Sequence, residues 1–357
     1  MNLLNTSVLV GLACIAIQFP NTALAADDTP MVFDWSGYED PLFHPGYTAK
    51  NGGSPNFSFF GDEDEAFEKL RAGFKADIAH PCSQSVAKWR DAGMLEPLDS
   101  AKLTNWPNML PGITAMKNFT TTEDGKVWAV PFEWGNTSVI YRTDKVKPEE
   151  VSSLKAFADP KFQGRVSIGD NVDDAYALAS LAIGLKDWTK MNDQQFAEAS
   201  AFLREVHKNV AVYWADNTEL AQAMTGGGVD LAWGWAETYT TLKKDNQPVM
   251  LDTSAKEGFS TWVCAYVRLK GGSASEEKVY DYLNAVSSPE ISSYLLTDWG
   301  YGHGNGAGMA KIDPKLVEAS GLADISKYVD NTLFQQPVNP ELKAKWIAEF
   351  DKIKAGF

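Results

Sequence analysis

The stretch Met31-Val32-Phe33-Asp34-Trp35-Ser36-Gly37-Tyr38 decides how the rest of the chain is interpreted. An apolar run that ends in Trp-Ser-Gly-Tyr predicts a first β-strand that runs into a loop. In open α/β sheets, ligands bind just beyond the carboxyl ends of the strands. The sequence therefore places Trp35 and Tyr38 in a candidate ligand wall, although large aromatic side chains near strands more often serve packing.

The segments that follow repeat an alternation of short apolar runs and helical patterns. Strands are predicted at residues 56–60 and 77–83, and helices at residues 62–74 and 86–92. Such a series of βαβ units predicts a mainly parallel sheet and an α/β fold class.

The second half of the chain begins after residues 127–135 and 138–141, which are predicted as two extended runs around a turn at Gly135-Asn136-Thr137. These runs carry the chain from one lobe into the next. The strands predicted after them lie at residues 165–168, 211–214, 229–237 and 259–267. The predicted helices lie at residues 175–185, 194–206, 217–224, 276–286, 289–296 and 340–353.

Length and composition set the class of protein. At 357 residues, the chain is too long for one ordinary core and suits two lobes of typical domain size. Its 44% hydrophobic and 22% charged residues are typical of a soluble globular protein. The net charge of -15 argues against nucleic acid or an anionic membrane as a partner, because both require clustered Lys and Arg side chains.

Residues 1–25 predict a secretion signal that is cleaved after Ala25. They contain no charged side chain, carry an apolar run at residues 8–17, and end in Ala23-Leu24-Ala25. The run is shorter than the roughly 20 apolar residues that a membrane span needs. The mature protein is therefore expected in the periplasm. Lipid attachment at Cys14 is the alternative, and it would leave the rest of the signal unexplained.

The cysteines and histidines do not form a recognisable reactive or metal-binding pattern. After cleavage only Cys82 and Cys264 remain, and neither a Cys-x-x-Cys nor a His-x-x-x-His spacing occurs, so no metal site and no cofactor are predicted. A secreted hydrolase is the remote alternative. It is disfavoured because the four histidines lie in unrelated contexts and no Gly-x-Ser-x-Gly sequence occurs.

Trp and Tyr recur at predicted strand ends and loops in both halves of the chain, with acids scattered among them. Aromatic faces hold cationic ligands through the ring quadrupole, at about 0.5 to 2 kcal/mol each, and a carboxylate fixes any N–H groups. The residues of this pattern are Trp35, Tyr38, Trp235, Trp262 and Tyr301, with Asp174 and Glu237. The pattern favours an organic cation as the ligand.

Several motifs occur in a fixed order: Trp35-Ser36-Gly37-Tyr38, residues 77–83, residues 102–106, Pro131-x-x-Trp134-Gly135-x-Thr137, residues 170–174, residues 234–236, and Gly300-Tyr301. In these motifs and their order, the chain resembles the spermidine/putrescine-binding proteins of bacterial ABC importers along essentially its whole mature length. The resemblance implies a monomeric, non-enzymatic protein that captures a small organic cation for membrane permease and ATPase subunits.

The resemblance also implies a two-lobed periplasmic binding protein fold, similar to type II, with a ligand cleft between lobes joined by hinge strands. Residues 26–135 and the return segment 263–318 are expected to form the first lobe, and residues 136–262 the second. Residues 319–357 are expected to be C-terminal helices that pack mainly on the second lobe.

By position, the resemblance implies that Trp35 and Tyr38 form aromatic walls from the first lobe, and that Ser36 and Ser83 offer hydroxyl groups. From the second lobe it implies Asp174 as the ligand acid and Trp235 and Trp262 as stacking planes. Glu237 and Cys264 lie at or near positions where the family has acids, and Tyr301 is a late aromatic contact from the first lobe. Two departures stand out: Gly37 stands where the family has an acid, and Cys264 where it has Asp.

A site with few acids cannot neutralise three ammonium groups, because an unpaired buried ammonium is costly. Two ligand classes therefore stay open: an amine, favoured by the family, and a methylated onium zwitterion such as a betaine or dimethylsulfoniopropionate, favoured by the missing acids. The carboxylate of a zwitterion would need a donor, for which His80 and Ser83 are available.

The resemblance places Cys82 and Cys264 at the rim of the cleft in opposite regions. A disulfide between them would tend to lock the lobes together. The sequence therefore predicts free thiols in the working protein.

Overall fold

The computed structural model describes residues 28–320, 322 and 332–357. The predicted secretion signal, residues 1–25, and its cleavage point lie outside the described residues. None of the helices within those ranges combines the length and the apolar character that a bilayer crossing requires.

One mixed sheet organises the described part of the chain. Its strands are β1 Met31–Asp34, β2 Asn56–Phe59, β3 Ile78–Ala79, β4 Leu95–Glu96, β5 Ala129–Arg142, β6 Val166–Gly169, β7 Val210–Trp214, β8 Leu231–Trp235, β9 Val249–Asp252, β10 Ser260–Leu269, β11 Gly302–His303 and β12 Leu333–Phe334. The main order is β2-β1-β3-β10-β5-β8-β6-β7, with β4 and β12 paired to β10, and β9 and β11 paired to β5.

Helices cover the sheet. They are α1 Pro45–Asn51, α2 Glu63–Arg71, α3 Val86–Asp91, α4 Pro111–Thr114, α5 Val172–Ala182, α6 Asp193–His207, α7 Asn217–Thr225, α8 Ala236–Lys244, α9 Glu276–Val286, α10 Ser292–Tyr294, α11 Gly306–Met309, α12 Pro314–Ser320 and α13 Pro340–Lys354. A π-helical segment, Leu295–Trp299, follows α10 directly.

The sheet divides into two halves around its central strands. In one half, β1 pairs in parallel with β2 and β3, and in the other β6 pairs in parallel with β7 and β8. Between them, β5 and β10 run antiparallel to each other. The predicted α/β class with two lobes is confirmed, but the expectation of a mainly parallel sheet is wrong, because β10 pairs antiparallel with β3 and β5 pairs antiparallel with β8.

The C-terminal helix α13 closes one of the hydrophobic cores. It starts after Asn339, whose side chain accepts the N–H groups of Glu341 and Leu342 and so satisfies two donors that have no partner within the helix. Its fully buried Trp346 stacks on Tyr176 of α5 with ring centroids 4.7 Å apart. Helix α13 therefore packs on the half of the sheet that carries β6 to β8.

The predicted turn at Gly135-Asn136-Thr137 is wrong, because β5 runs without a break through it. Asn136 pairs with Thr261 of β10, and Thr137 pairs with Trp235 of β8. Hydrogen bonding to strands on both sides outweighs the local turn preference of the sequence. One 14-residue strand thus passes through both halves of the molecule.

The predicted strand at residues 229–237 also ends early. Strand β8 stops at Trp235 and helix α8 begins at Ala236. Glu237 therefore lies in the first turn of a helix, where a carboxylate interacts favourably with the helix dipole.

The prediction of free thiols is wrong, because Cys82 and Cys264 form a disulfide. Both residues lie in the same half of the sheet, where β10 pairs with β3. They face each other as an antiparallel bridge, flanked by hydrogen bonds from Ser83 N–H to Val263 O and from Ala265 N–H to Pro81 O. Side chains at such a position lie close together on one side of the sheet, so the bond joins neighbouring strands and does not lock the lobes.

This disulfide predicts the outcome of a labelling experiment. Alkylation of the denatured but unreduced protein is expected to modify neither Cys82 nor Cys264, because both sulfurs are bonded to each other. The same treatment after reduction should add two labels, as mass spectrometry can show. Two labels without reduction would contradict the disulfide.

Candidate ligand-binding site

A cavity of about 300 Å³ lies where strands of both halves end. The residues just beyond the carboxyl ends of β1, β2, β6, β7 and β8 all contribute to its lining. Parallel strands of an open α/β sheet converge at this edge, which is where ligands bind in such folds. A volume of this size is typical of a site for a small molecule.

The cavity brings together most of the residues that the sequence singled out. Those that line it are Trp35, Ser36, Tyr38, Asp174, Trp235, Glu237, Trp262, Cys264 and Tyr301. Ser83 is the exception, because its hydroxyl lies behind the cavity and donates to the backbone oxygen of Gln335 at 2.5 Å. Gln335 itself lines the cavity, so Ser83 helps to position a lining residue.

Two tryptophans form an aromatic wall that spans both halves. The indole of Trp35, just after β1, meets that of Trp235, at the end of β8, edge to face with centroids 5.9 Å apart. The Trp35 N–H donates to the backbone oxygen of His80 at 3.0 Å, and its ring packs against Phe60. The Trp35 indole is thus held in place by contacts within its own half.

A second aromatic pair, Trp262 and Tyr301, lies edge to face with centroids 4.9 Å apart. Both rings pack directly over Gly135 of β5, where an added Cβ atom would come within 2.9 Å of each. The absence of a side chain at this position therefore allows the two rings to lie against the strand. Trp262 and Tyr301 are nearly fully buried and still line the cavity.

Asp174 is held at the start of α5, where Asn171 caps the helix by accepting the Asp174 N–H at 2.8 Å. Its Oδ1 accepts hydrogen bonds from Thr137 Oγ1 and Gln335 Nε2, both at 2.8 Å. Its Oδ2 accepts from Trp235 Nε1 at 2.8 Å and from Asn171 Nδ2 at 3.3 Å. Protein donors therefore occupy all the acceptor sites of this carboxylate.

The electrostatics of Asp174 follow from these contacts. Burial raises the pKa of its carboxyl group, while the hydrogen bonds from Thr137, Asn171, Trp235 and Gln335 oppose the shift by stabilising the charged form. The carboxylate thus serves as a fixed acceptor that orients the Trp235 indole.

Glu133 of β5 is a second acid of the cavity, and the sequence interpretation did not single it out. One of its oxygens, Oε1, accepts a hydrogen bond from the Tyr38 hydroxyl. The other, Oε2, is buried and has no hydrogen-bond partner among the described residues. Only 2% of Glu133 is exposed, and burial raises the pKa of its carboxyl group well above the ordinary value, with Asp34 and Glu237 adding to the shift.

His80 lies behind Glu133 and does not line the cavity. Its Nδ1 is 2.8 Å from Asp34 Oδ1, and its Nε2 is 4.0 Å from Glu133 Oε1. The Tyr266 hydroxyl donates to Asp34 Oδ2 at 2.9 Å, and the Tyr266 ring stacks on the imidazole. Asp34 therefore accepts from Nδ1 and leaves Nε2 facing Glu133.

Further acids line the cavity, and two of them, Glu63 and Glu237, have shifted pKa values with a clear cause. Glu63, at the start of α2, accepts the Cys82 N–H and a side-chain N–H of Gln84, both at 2.6 Å, and burial raises its pKa to about 8. Glu237 accepts from the Asn217 side chain, and burial together with Asp216 raises its pKa well above the ordinary value.

Charges of one sign dominate the lining. Lys69 is the only lysine or arginine among the described residues that line the cavity, and it is paired with Glu65 at 2.7 Å. Across the described ranges, no group of three His, Cys, Asp or Glu side chains is arranged to hold a metal ion. The site therefore offers aromatic faces and carboxyl groups.

Comparison with known proteins identifies the family. The sequence pattern of bacterial extracellular solute-binding proteins matches residues 46–313. The chain belongs to this family. It is therefore a non-enzymatic solute-binding protein of an ABC importer, which works with permease and ATPase components.

Similar proteins cover nearly the whole length of this solute-binding protein. A spermidine/putrescine-binding periplasmic protein of Escherichia coli is 24% identical over 352 residues, which are 97% of each chain. A putrescine-binding periplasmic protein of the same species is 22% identical and covers 100% of both chains.

Solved structures agree in fold. A Listeria monocytogenes protein assigned to spermidine/putrescine ABC transport has a TM-score of 0.80 at 18% identity, covering 92% of this chain and 99% of its own. The binding protein MotA of A. tumefaciens, in complex with glucopine, has a TM-score of 0.74 at 18% identity, covering 91% and 99%. At such identities the likeness shows the two-lobed fold of the solute-binding protein.

The acids that the sequence interpretation missed had weak signals. Glu133 is the one charged residue in the apolar run at residues 127–134. An acid inside a buried strand is unusual, because burying a carboxylate costs free energy. Glu63 gave no signal of a role in the site, because it lies in the first turn of α2, where the preference of the helix dipole alone explains an acid. The expectation that this solute-binding protein has few acids in its site is therefore wrong for the described cavity.

Lys343 of α13 connects elements of both halves beside the cavity. Its ammonium group is 3.0 Å from Asp64 of α2 and 2.5 Å from Asp173 of α5, and Asp173 lines the cavity. These carboxylates raise the pKa of Lys343 against the effect of burial. The solute-binding protein thus has an ion-paired triad where its halves meet.

Proposed function

We propose that this protein captures a small organic cation with N–H groups, an amine of the diamine or monoamine class, in the periplasm and delivers it to the importer. The observation that carries the proposal is Glu133, a buried acid with a partnerless oxygen in an aromatic cavity. An ammonium N–H would give this oxygen the hydrogen bond that it lacks. The tryptophan faces would hold the charge and the alkyl part of the ligand.

The names of similar proteins support the same class. The relatives from Escherichia coli are named for spermidine and putrescine, and one from Pseudomonas aeruginosa for putrescine and agmatine. All three compounds are amines that carry N–H donors. Because Glu63, Glu133 and Glu237 surround one cavity, the proposed ligand carries more than one positive centre or donates several hydrogen bonds.

An onium zwitterion remains the second candidate because of Trp262. Its indole N–H is buried without a hydrogen-bond partner among the described residues, so it would suit an acceptor on the ligand, such as a carboxylate. A methylated onium, however, has no N–H to donate to Glu133. We therefore rank the amine first.

The proposed lobes follow the boundaries expected from the sequence: residues 26–135 with 263–318, and residues 136–262. Helix α13 packs on α5 and α6 of the second group, which supports the expected position of the C-terminal segment. The protein is proposed to act as a monomer whose lobes close over the ligand.

A thermal-shift panel tests the proposed ligand class. Putrescine, agmatine and spermidine are expected to raise the melting temperature, because a ligand that binds only the folded state stabilises it by mass action. Glycine betaine and dimethylsulfoniopropionate should have little effect at equal concentration. A shift with the onium compounds and none with the amines would overturn the proposal in favour of the second candidate.

A further inference from the structure

The two best-placed acids of the cavity differ in what their oxygens already contact. Asp174 accepts four hydrogen bonds from protein donors, so a ligand would have to displace one of them. Glu133 accepts one, from Tyr38, and its second oxygen is partnerless. A buried oxygen without a partner is costly in the free protein, and a cationic donor removes that cost.

The local backbone explains why Glu133 reaches the cavity. The register of β5 and β10 shifts between Cys264 and Ala265, opposite Phe132, and this irregularity immediately precedes Glu133 on β5. Such bulges re-aim side chains beside binding sites. Beyond it, Glu133, Gly135 and Thr137 alternate on one face of β5, which places Glu133 in line with the Trp262–Tyr301 pair and with the Thr137 contact to Asp174.

We infer that Glu133, rather than Asp174, receives the cationic group of the ligand, and that the Glu133 carboxyl group releases its proton as the ligand binds. The inference deepens the proposed function and rests on the ligand being a cation. Asp174 then acts as a positioning residue that holds the Trp235 indole. Glu133 occupies one of the two unspecified places in the Pro131-x-x-Trp134 motif.

The charges around Glu133 explain the proton. Among the groups that face it, Asp34 and Glu237 are acids, Tyr38 and Tyr301 are neutral phenols, and the nearest base is His80 at 4.0 Å. Next to Glu133 on β11, His303 is buried, and desolvation lowers its pKa to about 4, so it supplies no charge near neutral pH.

In this setting an ionised Glu133 would lie buried among acids and neutral phenols, so the carboxyl group favours its protonated form in the free protein. The free protein therefore holds a proton on the Glu133 carboxyl group. A bound ammonium group supplies the positive charge instead, and the proton leaves to the solvent. Glu133 is then ionised in the complex, and the affinity rises with pH.

Calorimetry of the unaltered protein tests the release directly. Putrescine is titrated near neutral pH in two buffers of different ionisation enthalpy, and the difference in heat counts the protons exchanged. We expect release approaching one proton per ligand, and an affinity that increases by up to about tenfold per pH unit below the pKa of Glu133. Heats that do not depend on the buffer would overturn the inference.

The variant Glu133→Gln separates this role from a structural one. It keeps the size of the side chain and removes the charge, so we expect no proton release and an affinity roughly 10- to 100-fold lower above neutral pH. The loss should shrink as the pH falls, because only the parent protein is pH-dependent. Glu68→Gln, an exposed acid of α2 that pairs with Arg71, is the matched control and should behave as the parent does.

The outcomes distinguish the inference from the proposed function. If the parent binds no amine in the panel, the proposed function fails. If the parent binds putrescine without releasing a proton, or if Glu133→Gln binds as tightly as the parent across the pH range, the inference fails and the proposed function stands. If Glu133→Gln does not fold, the buffer-dependent heats of the parent still decide.

Discussion

Replacing Trp235 with alanine is expected to weaken ligand binding roughly 100-fold, because the side chain serves three contacts at once. Its ring meets Trp35 across the cavity, packs edge to face on Trp214 at 4.7 Å, and donates its N–H to Asp174. Its loss removes an aromatic face and leaves Asp174 short of a donor. Calorimetry with putrescine measures the change.

The matched control for this variant is Trp128→Ala. Trp128 is also partly buried and also uses its N–H, which donates to Thr122 Oγ1 at 3.0 Å, but it does not line the cavity. We expect this variant to keep the affinity of the parent even where its stability falls. Equal losses of affinity in both variants would mean that Trp235 acts only through stability.

Replacing Lys343 with methionine is expected to lower the free energy of unfolding by roughly 3 kcal/mol. The change leaves Asp173 without its cation, while Asp64 keeps only its pair with Lys88. Burial already raises the pKa of Asp173 to about 6 in the presence of Lys343, so the unpaired carboxylate is costly mainly when ionised. Urea denaturation measures the loss.

The pH dependence of this loss has a defined sign. Without Lys343 the pKa of Asp173 rises further, so the part of the deficit that comes from Asp173 should develop as the pH rises above about 6 and be absent below it. Lys345→Met, two residues further along α13, removes an exposed pair with Asp193 and should cost less than about 0.5 kcal/mol. Similar losses in the two variants would contradict a buried triad.

Small-angle scattering adds a readout of shape for the same pair of variants. Lys343 contacts helices of both halves, so its loss is expected to favour separation of the lobes and a larger radius of gyration. Lys345→Met should leave the radius unchanged, because its partner Asp193 belongs to α6, which α13 already packs against.

The local patterns of the sequence were sufficient for the architecture. Alternating strand and helix signals predicted the α/β class, and the helices α9 and α13 lie within one residue of their predicted bounds. Polar caps explain this accuracy, since Ser275 and Asn339 satisfy the first N–H groups of these helices from adjacent positions. Contacts between residues that are close together in the chain, such as these caps, can be predicted from the sequence.

The aromatic part of the site was predictable for a related reason. Trp35 and Trp235 follow strands whose carboxyl ends converge in any open α/β sheet, so their meeting does not depend on the details of packing. The ligand role of these residues stays a prediction until the variants are measured.

What the sequence determined by itself was the order of strands and helices and the aromatic residues at the strand ends, because both depend on local backbone preference and on the periodicity of apolar residues. Only the tertiary structure decided which polar groups meet. Tyr38 contacts Glu133 across 95 positions, and Cys82 bonds Cys264 across 182. Such pairs depend on the register between distant strands, and a shift of one residue would turn each side chain to the opposite face of the sheet.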